Sequence, residues 1–269
     1  MNTTLVLFGG ALLLIPTLAQ ADKAVKCSIK TLNACPKIGC SKPGSPLAVT
    51  NSQKHATAMS GHAAKLTFDD IKTLQADVDD KFKNGPIVIE GERVTRPHNM
   101  KAAPRKIILS GLTTASEPFS EGDYVELQGF IASTKLPPHA NTGETVNCKL
   151  TDAPSNDFHI NITPSKNEDE TEGVVVEMIP QNPNRRDKEW NLDKLTKIQK
   201  QQLPVRIQGR LFFDSEHKPN TKKTTKTDRN PKRFSVWEIH PLSSFDVCLA
   251  STCTESTGWK ALEDWAPAN

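Results

Sequence analysis

From Gly122 to Cys248 the chain repeatedly alternates apolar and polar residues, and this period of two limits the folds open to it. In GDYVELQGFIA, Val125, Leu127, Gly129 and Ile131 fall on one side, with Tyr124, Glu126, Gln128 and Phe130 on the other. Side chains on a strand alternate between its faces, so this reads as a strand with one apolar face. VNCKL and then DFHINIT predict a second strand, interrupted at residues 153–156. GVVVEMIP predicts a third. LPVRIQGRLFF predicts a fourth, with Val205, Ile207, Gly209, Leu211 and Phe213 inward, and FSVWEIHPLSSFDV a fifth. Between the third and fourth lies EWNLDKLTKIQKQQ, whose Trp190, Leu192, Leu195 and Ile198 share the apolar side of a helix. The order β-β-β-α-β-β is that of the OB-fold, a five-stranded Greek-key barrel. A β-sandwich would explain the strands but not the single helix. Gly129 and Gly209, inside strands, suit the sharp bends of a small barrel.

The flanks differ from the barrel. MNTTLVLFGGALLLIPTLAQA, residues 1–21, has no charged side chain and ends in an A-x-A site, so it reads as a secretory signal peptide. No later run is long enough to span a bilayer, and the chain is expected to be exported, to a periplasm or beyond the cell. Residues 22–65 show little periodicity and read as a cysteine-containing extension, disulfide-tethered or partly disordered. In residues 66–121, LTFDDIKTLQADVDDKF predicts an amphipathic helix over 67–83. Thr67 and Asp70 make a capping box, and Asn84-Gly85-Pro86 ends the helix. Ile87-Val88-Ile89 reads as a short strand, 95–105 as loop, and 249–269 as a tail. The six cysteines, Cys27, Cys35, Cys40, Cys148, Cys248 and Cys253, suggest disulfides in an exported chain. Six thiols allow 15 pairings; Cys248 with Cys253 and a pair within the first three are the simplest. Their spacing is not that of a zinc knuckle.

The segments GDYVELQGFI, NCKLTDAPSNDFHINI, VVVEMIP, VRIQGRLFFDSEH and SVWEIHP together resemble an uncharacterised family of exported bacterial proteins with an OB-like domain. The resemblance covers roughly residues 66–248, and WEIHP and D-x-H are its most specific part. It implies the fold and the exported setting. It carries no activity and no catalytic residues. The basic loop over 218–233 is longer than the family pattern requires.

Three acid-and-imidazole pairs stand near strand ends: Asp157/His159, Asp214/His217 and Glu238/His240. Parity puts Asp157, His159 and Asn161 on one face, opposite Phe158, Ile160 and Ile162, and puts Glu238 with His240 opposite Trp237 and Ile239. Glu177 shares a face with Val175 and Ile179, in a buried or half-buried setting. If the pairs converge, their oxygen and nitrogen ligands suit a divalent metal such as zinc or manganese. Such an ion activates water, and Arg206 and Arg210 on the fourth strand could hold a phosphodiester. Against this stands the plain reading of a solvated strand face, or of carboxylate–imidazole pairs that only brace the sheet. No H-E-x-x-H, zinc quartet or G-x-S-x-G element is present.

An exported module that binds nucleic acid or another oligomeric ligand is the leading functional expectation, with single-stranded nucleic acid or another polyanion as the partner and a metal-dependent phosphodiester hydrolase as the alternative. OB barrels bind strands with aromatic platforms and basic grooves. Tyr124 and Phe130 could stack bases. Residues 216–233 hold seven Lys/Arg against two acids, and Lys222, Lys223, Lys226, Arg229, Lys232 and Arg233 could reach phosphates. The net charge of +3 and an aromatic content of 6% argue against a dedicated nucleic-acid protein.

Overall fold

The structure is a computed structural model that describes residues 27–95, 100–133, 138–186, 189–222, 232–250, 253–254 and 256–266. The expected signal peptide lies outside them. In chain order the helices are α1 (Pro46–Lys54), α2 (Phe68–Phe82), α3 (Ala102–Ile108), α4 (Pro183–Arg186) and α5 (Leu192–Gln201). The strands are β1 (Ala64–Lys65), β2 (Ile87–Ile89), β3 (Glu92–Val94), β4 (Tyr124–Ile131), β5 (His139–Ala140), β6 (Phe158–Thr163), β7 (Val174–Met178), β8 (Pro204–Phe213), β9 (Trp237–Cys248) and β10 (Trp259–Ala261).

Five of these strands close on themselves. β4 pairs with β8, β8 with β9, β9 with β7, β7 with β6, and β6 returns to β4. The β7–β9 pairing is parallel, Val176 opposite Ile239, and the other four are antiparallel. With α5 between β7 and β8, this is an OB-like barrel. Its interior is filled by the residues that alternation selects: Val125, Leu127, Ile160, Ile162, Val176, Val205, Ile207, Leu211, Trp237 and Ile239 are buried in one core. α5 contributes Leu195 and Ile198, and Trp190 packs there fully buried.

β8 and β9 are long, and the ladder between them slips at Gly209. A Cβ at Gly209 would lie 2.5 Å from the Pro241 carbonyl oxygen and 2.6 Å from Ile239 Cγ2. The backbones therefore touch where only glycine leaves room. β9 continues through Pro241 to Cys248, but its pairing with β8 is displaced there: His240 and Pro241 together stand opposite Arg210, and Ser243 is a further extra residue on β9.

α2 matches its expected span. Thr67 and Asp70 form the capping box, and Phe68, Ile71, Leu74 and Val78 enter the core. Several boundaries are corrected. VNCKL is a turn and not part of the second strand. Residues expected as loop enter α3, whose Arg105 is buried and grips Glu121 with a pair of hydrogen bonds, 2.7 and 2.5 Å. The tail adds β10 to β9 and buries Leu262 and Trp265 in the core.

Over its described residues the N-terminal extension follows the disulfide-tethered reading rather than the disordered one. Residues 27–65 are folded onto the barrel. Ser45 caps α1, β1 pairs with β4, and three disulfides form: Cys27–Cys40, Cys35–Cys148 and Cys248–Cys253. Cys35–Cys148 fastens the extension to the loop before β6, closing a sequence separation of 113. The fit there is close: a Cβ on Gly39, whose φ is +56°, would lie 2.0 Å from the Thr145 carbonyl oxygen. Three disulfides are the chemistry of an oxidising, non-cytoplasmic setting. Among the described residues no helix is long and apolar enough to cross a membrane.

The Gly209 contact gives a stability prediction. Gly209→Ala is expected to destabilise the fold by about 1–3 kcal/mol, because strand backbones must part to admit a methyl group. Chemical denaturation checks this, and an unchanged midpoint would contradict the close packing of β8 on β9.

Candidate metal centre

β6, β7 and the first half of β9 are buried along both faces. One face lines the barrel. The other, which carries His159, Glu177, Glu238 and His240, would be solvated in a bare barrel. Here β5, the loop over 141–157 and α1 lie across it. His139 pairs with His159 in the β5–β6 ladder, and the two rings stack at 5.6 Å. α1 is held down by Asn51, which donates to the Ile38 carbonyl and to Ser41 Oγ at 3.0 and 2.7 Å, and by Thr50 against Ser215 at 3.3 Å. Lys54, at its end, is 3% exposed and sits 5.9 Å over the Phe212 ring.

The acid–imidazole pairs converge, but not as neighbours in sequence. His240, fully buried, lies between carboxylates from two other segments. Its Nε2 is 3.6 Å from Asp157 Oδ2, and its Nδ1 is 3.4 Å from Glu177 Oε2 and 3.7 Å from Glu238 Oε2. His159 pairs across the ladder with Glu177, Nδ1 to Oε1 3.5 Å, and its Nδ1 also meets the Asn141 amide at 2.8 Å. Asp157 accepts from Asn147 at 3.0 Å through its other oxygen. Asp214 and His217 do meet each other, and Arg233 bridges Asp214 to Glu238. The expectation of a wet face for Asp157, His159, Glu238 and His240 is therefore overturned: the cover makes this face interior, and none of the four exceeds 9% exposure.

Around His240 the polar atoms are left without partners. Asp157 Oδ2, Glu177 Oε2, Glu238 Oε2 and both His240 nitrogens are buried and make no hydrogen bond. Their separations exceed the hydrogen-bond range of about 2.7–3.2 Å. Buried polar atoms without partners are costly, and those of a native protein call for an explanation. One ligand atom each from Asp157, Glu177 and His240 lie within 4.8 Å of one another. Ligands placed tetrahedrally on bonds of about 2.1 Å stand about 3.4 Å apart, which falls within that 4.8 Å limit, although Asp157 and Glu177 lie nearest opposite nitrogens of the His240 ring.

The charges point the same way. Glu144, Asp157, Glu177, Asp214 and Glu238 lie near enough to act on one another, against Lys54, Arg233 and His217. Burial pushes the Asp157 and Glu238 carboxyls up to about 7, with the Glu144 charge adding to the first and Asp214 to the second. Burial likewise lifts Glu177 well above the usual carboxylate range. Burial, reinforced by Lys54, holds His240 well below the usual imidazole range. Lys54 is raised well above its ordinary value despite burial, because the carboxylates Glu144, Glu177, Asp214 and Glu238 surround it. A dry site with surplus carboxylates must take up protons or a cation.

The residues expected on a ligand surface are otherwise engaged. Arg206 pairs with Asp246 at 2.6 Å and lies 4.9 Å over Trp259. Arg210 donates to the Ala58 carbonyl at 3.1 Å, and Tyr124 to Gln208 at 2.7 Å. Phe130 carries Lys166 over its ring at 5.7 Å. Lys222 is exposed and Lys232 half-buried, whereas Arg233, expected on the basic loop, is 0% exposed. Lys223, Lys226 and Arg229 lie outside the described residues. Sequence parity puts Glu177 in a buried or half-buried setting but outside the metal set, and it assigns Lys54 no role. The full burial of β7 by a run of apolar residues around one acid was the available signal for Glu177; nothing local marks Lys54.

No protein-family model matches the chain, and no curated protein or solved structure matches it. Fold and site define the class: an OB-like barrel with a buried carboxylate–imidazole centre on the outer face of its second, third and fifth strands.

The Asp214–His217 contact has a pH signature. Burial alone would lower His217, but the hydrogen bond and charge of Asp214 raise it above 6.5. Burial alone would raise Asp214, but His217, Lys54 and Arg233 hold it well below 3.8. His217 thus contributes stability in full below pH 6.5 and loses it as pH rises through its raised value. His217→Gln is expected to cost about 1 kcal/mol near pH 5.5, and the gap to the unsubstituted protein narrows towards pH 9. Denaturant titrations across that range measure it; a gap that widens with pH reverses the assignment.

Proposed function

We propose that this protein is an exported binding protein for a divalent cation, held by Asp157, Glu177 and His240 beneath the N-terminal cover. The observation that carries this reading is the ring of partnerless buried polar atoms around His240. An ion on Nε2 beside Asp157 would take Glu177 as its second carboxylate and leave Nδ1 facing Glu238 as its acid. That is the usual support for a metal-bound imidazole. Two carboxylates and one imidazole favour zinc, manganese or ferrous iron over cuprous ion, which prefers sulfur. The ion would offset the surplus carboxylate charge, and so fasten the cover to the barrel.

Catalysis on a polymer fits the site less well. The centre is buried on all its strands, and the arginines expected to hold a phosphate are paired on a different face. A second reading rests on one feature. The basic run lies between β8 and β9, and OB barrels use the loop between their fourth and fifth strands to contact oligonucleotides. Binding of a polyanion would then be confined to that loop and would weaken steeply with salt.

Protein purified without chelator is expected to carry close to one zinc, manganese or iron ion per chain by elemental analysis. Re-addition to chelator-treated protein raises its melting temperature, as ligand binding to the folded state requires. Asp157→Asn and Glu177→Gln remove that rise. Chelator-treated protein that neither binds nor gains stability from any of these ions would end the proposal. The metal-loaded protein is expected to leave single-stranded DNA and RNA uncut, scored by gel; cleavage lost in Glu177→Gln would restore the hydrolase reading.

A further inference from the structure

A second polar group is buried without its complement, away from His240. Arg185, in α4, is 6% exposed. Its guanidinium lies flat on the Phe158 ring, 3.2 Å from the centroid. One nitrogen, Nη2, reaches the Ala153 and Asn156 carbonyls at 3.2 and 3.4 Å. Nε is buried and has no partner. No ion pair joins Arg185 to a carboxylate among the described residues, and burial pulls its pKa down to about 10, partly offset by Asp157. A buried guanidinium normally has an acid against it.

Arg185 lines a cavity of about 180 Å³. A water needs only about 10–15 Å³, so there is room for several heavy atoms. Phe158, Pro154 and Leu192 form its apolar wall. The N-terminus of α5 opens onto it through Asn191, Leu192 and Asp193. Asn191 spends its side-chain oxygen on the Lys194 amide at 2.9 Å. The first amides of a helix lack intrahelical acceptors and favour an anion. Nε is sealed off, but Nη1, which makes no hydrogen bond among the described residues, leaves a guanidinium edge that lines this space together with the helix end. Asp193 stands exposed at the rim, a poor neighbour for a plain anion but a suitable one for a ligand that also carries a positive group.

We propose that this cavity binds a small zwitterionic carboxylate of the α-amino-acid type. The carboxylate meets Arg185 and the α5 N-terminus, the ammonium meets Asp193, and a short side chain lies on Phe158 and Leu192. The same chemistry is offered by a free amino acid and by the end of a short peptide, and the test separates them.

Isothermal titration with alanine, alanyl-alanine, N-acetylalanine and acetate provides that test, on the full disulfide-bonded protein. Alanine is expected to bind more tightly than N-acetylalanine, which lacks the ammonium. A stronger signal from the dipeptide would assign the site to peptide ends. Arg185→Gln is expected to weaken alanine by at least about tenfold, the worth of one charge-assisted hydrogen bond. Asp193→Asn reduces alanine to the level of N-acetylalanine and leaves the latter unchanged. If Arg185→Gln does not fold, Arg185→Lys decides, because lysine keeps the charge but loses the planar fork. No heat with any of the four ligands at millimolar concentration, or equal binding by these variants, overturns the proposal. Metal content, unaltered by Arg185→Gln, keeps this outcome separate from that of the cation site.

Discussion

Dehydrating the outer face of β6, β7 and β9 sets the terms for the rest of this structure. A face bearing His159, Glu177, Glu238 and His240 is stable in water and costly out of it. The chain takes it out of water with its own N-terminal segment, and neighbouring features follow from that. Lys54 enters from α1 as a cation. Arg233 is drawn from the foot of a basic loop to join Asp214 with Glu238. Cys35–Cys148 keeps the cover in place. These measures leave the atoms around His240 unmatched, and that shortfall is where a ligand is sought.

The cover also changes what an OB-like barrel can do. In many such barrels the strands equivalent to β6 and β7, with the loops beside them, form the surface on which an oligomer lies. Here the loop before β6 and the extension occupy that surface. The surface polar groups on β4, β8 and the second half of β9 are largely satisfied by one another, as Arg206 with Asp246 and Tyr124 with Gln208 show. A barrel built this way is better suited to enclosing something small than to tracking something long.

The barrel was legible in sequence because its signals are local. Alternation marks β4 and β8, spacing of three and four marks α2 and α5, and one helix between the third and fourth strands selects the topology. Gly129 and Gly209 were readable for the same reason: a glycine within a strand pattern asks for a close neighbour. The candidate site was only half legible. Parity correctly grouped Glu238 with His240 and Asp157 with His159, but parity says which way a side chain points and not what lies there. The partner of Asp157 is His240, some 80 residues on, and the partner of His159 is Glu177. The first pairing depends on the parallel contact of β7 with β9, and the second on the antiparallel ladder of β6 with β7. The extension could be read as disulfide-tethered, but its role as a cover was not legible, since residues 27–65 have weak periodicity and are ordered by two disulfides and by α1 rather than by an apolar stripe.

The bridge between Asn220 and Arg233 has a practical meaning of its own. Its paired backbone hydrogen bonds, 2.8 and 3.1 Å, clasp the two ends of the basic loop at the point where the chain leaves and rejoins the barrel. Arg233 then anchors the returning end inside the protein. The register of β8 on β9 therefore does not depend on the length of chain that joins these two ends, and a label or a guest domain inserted between them is expected to leave the barrel folded.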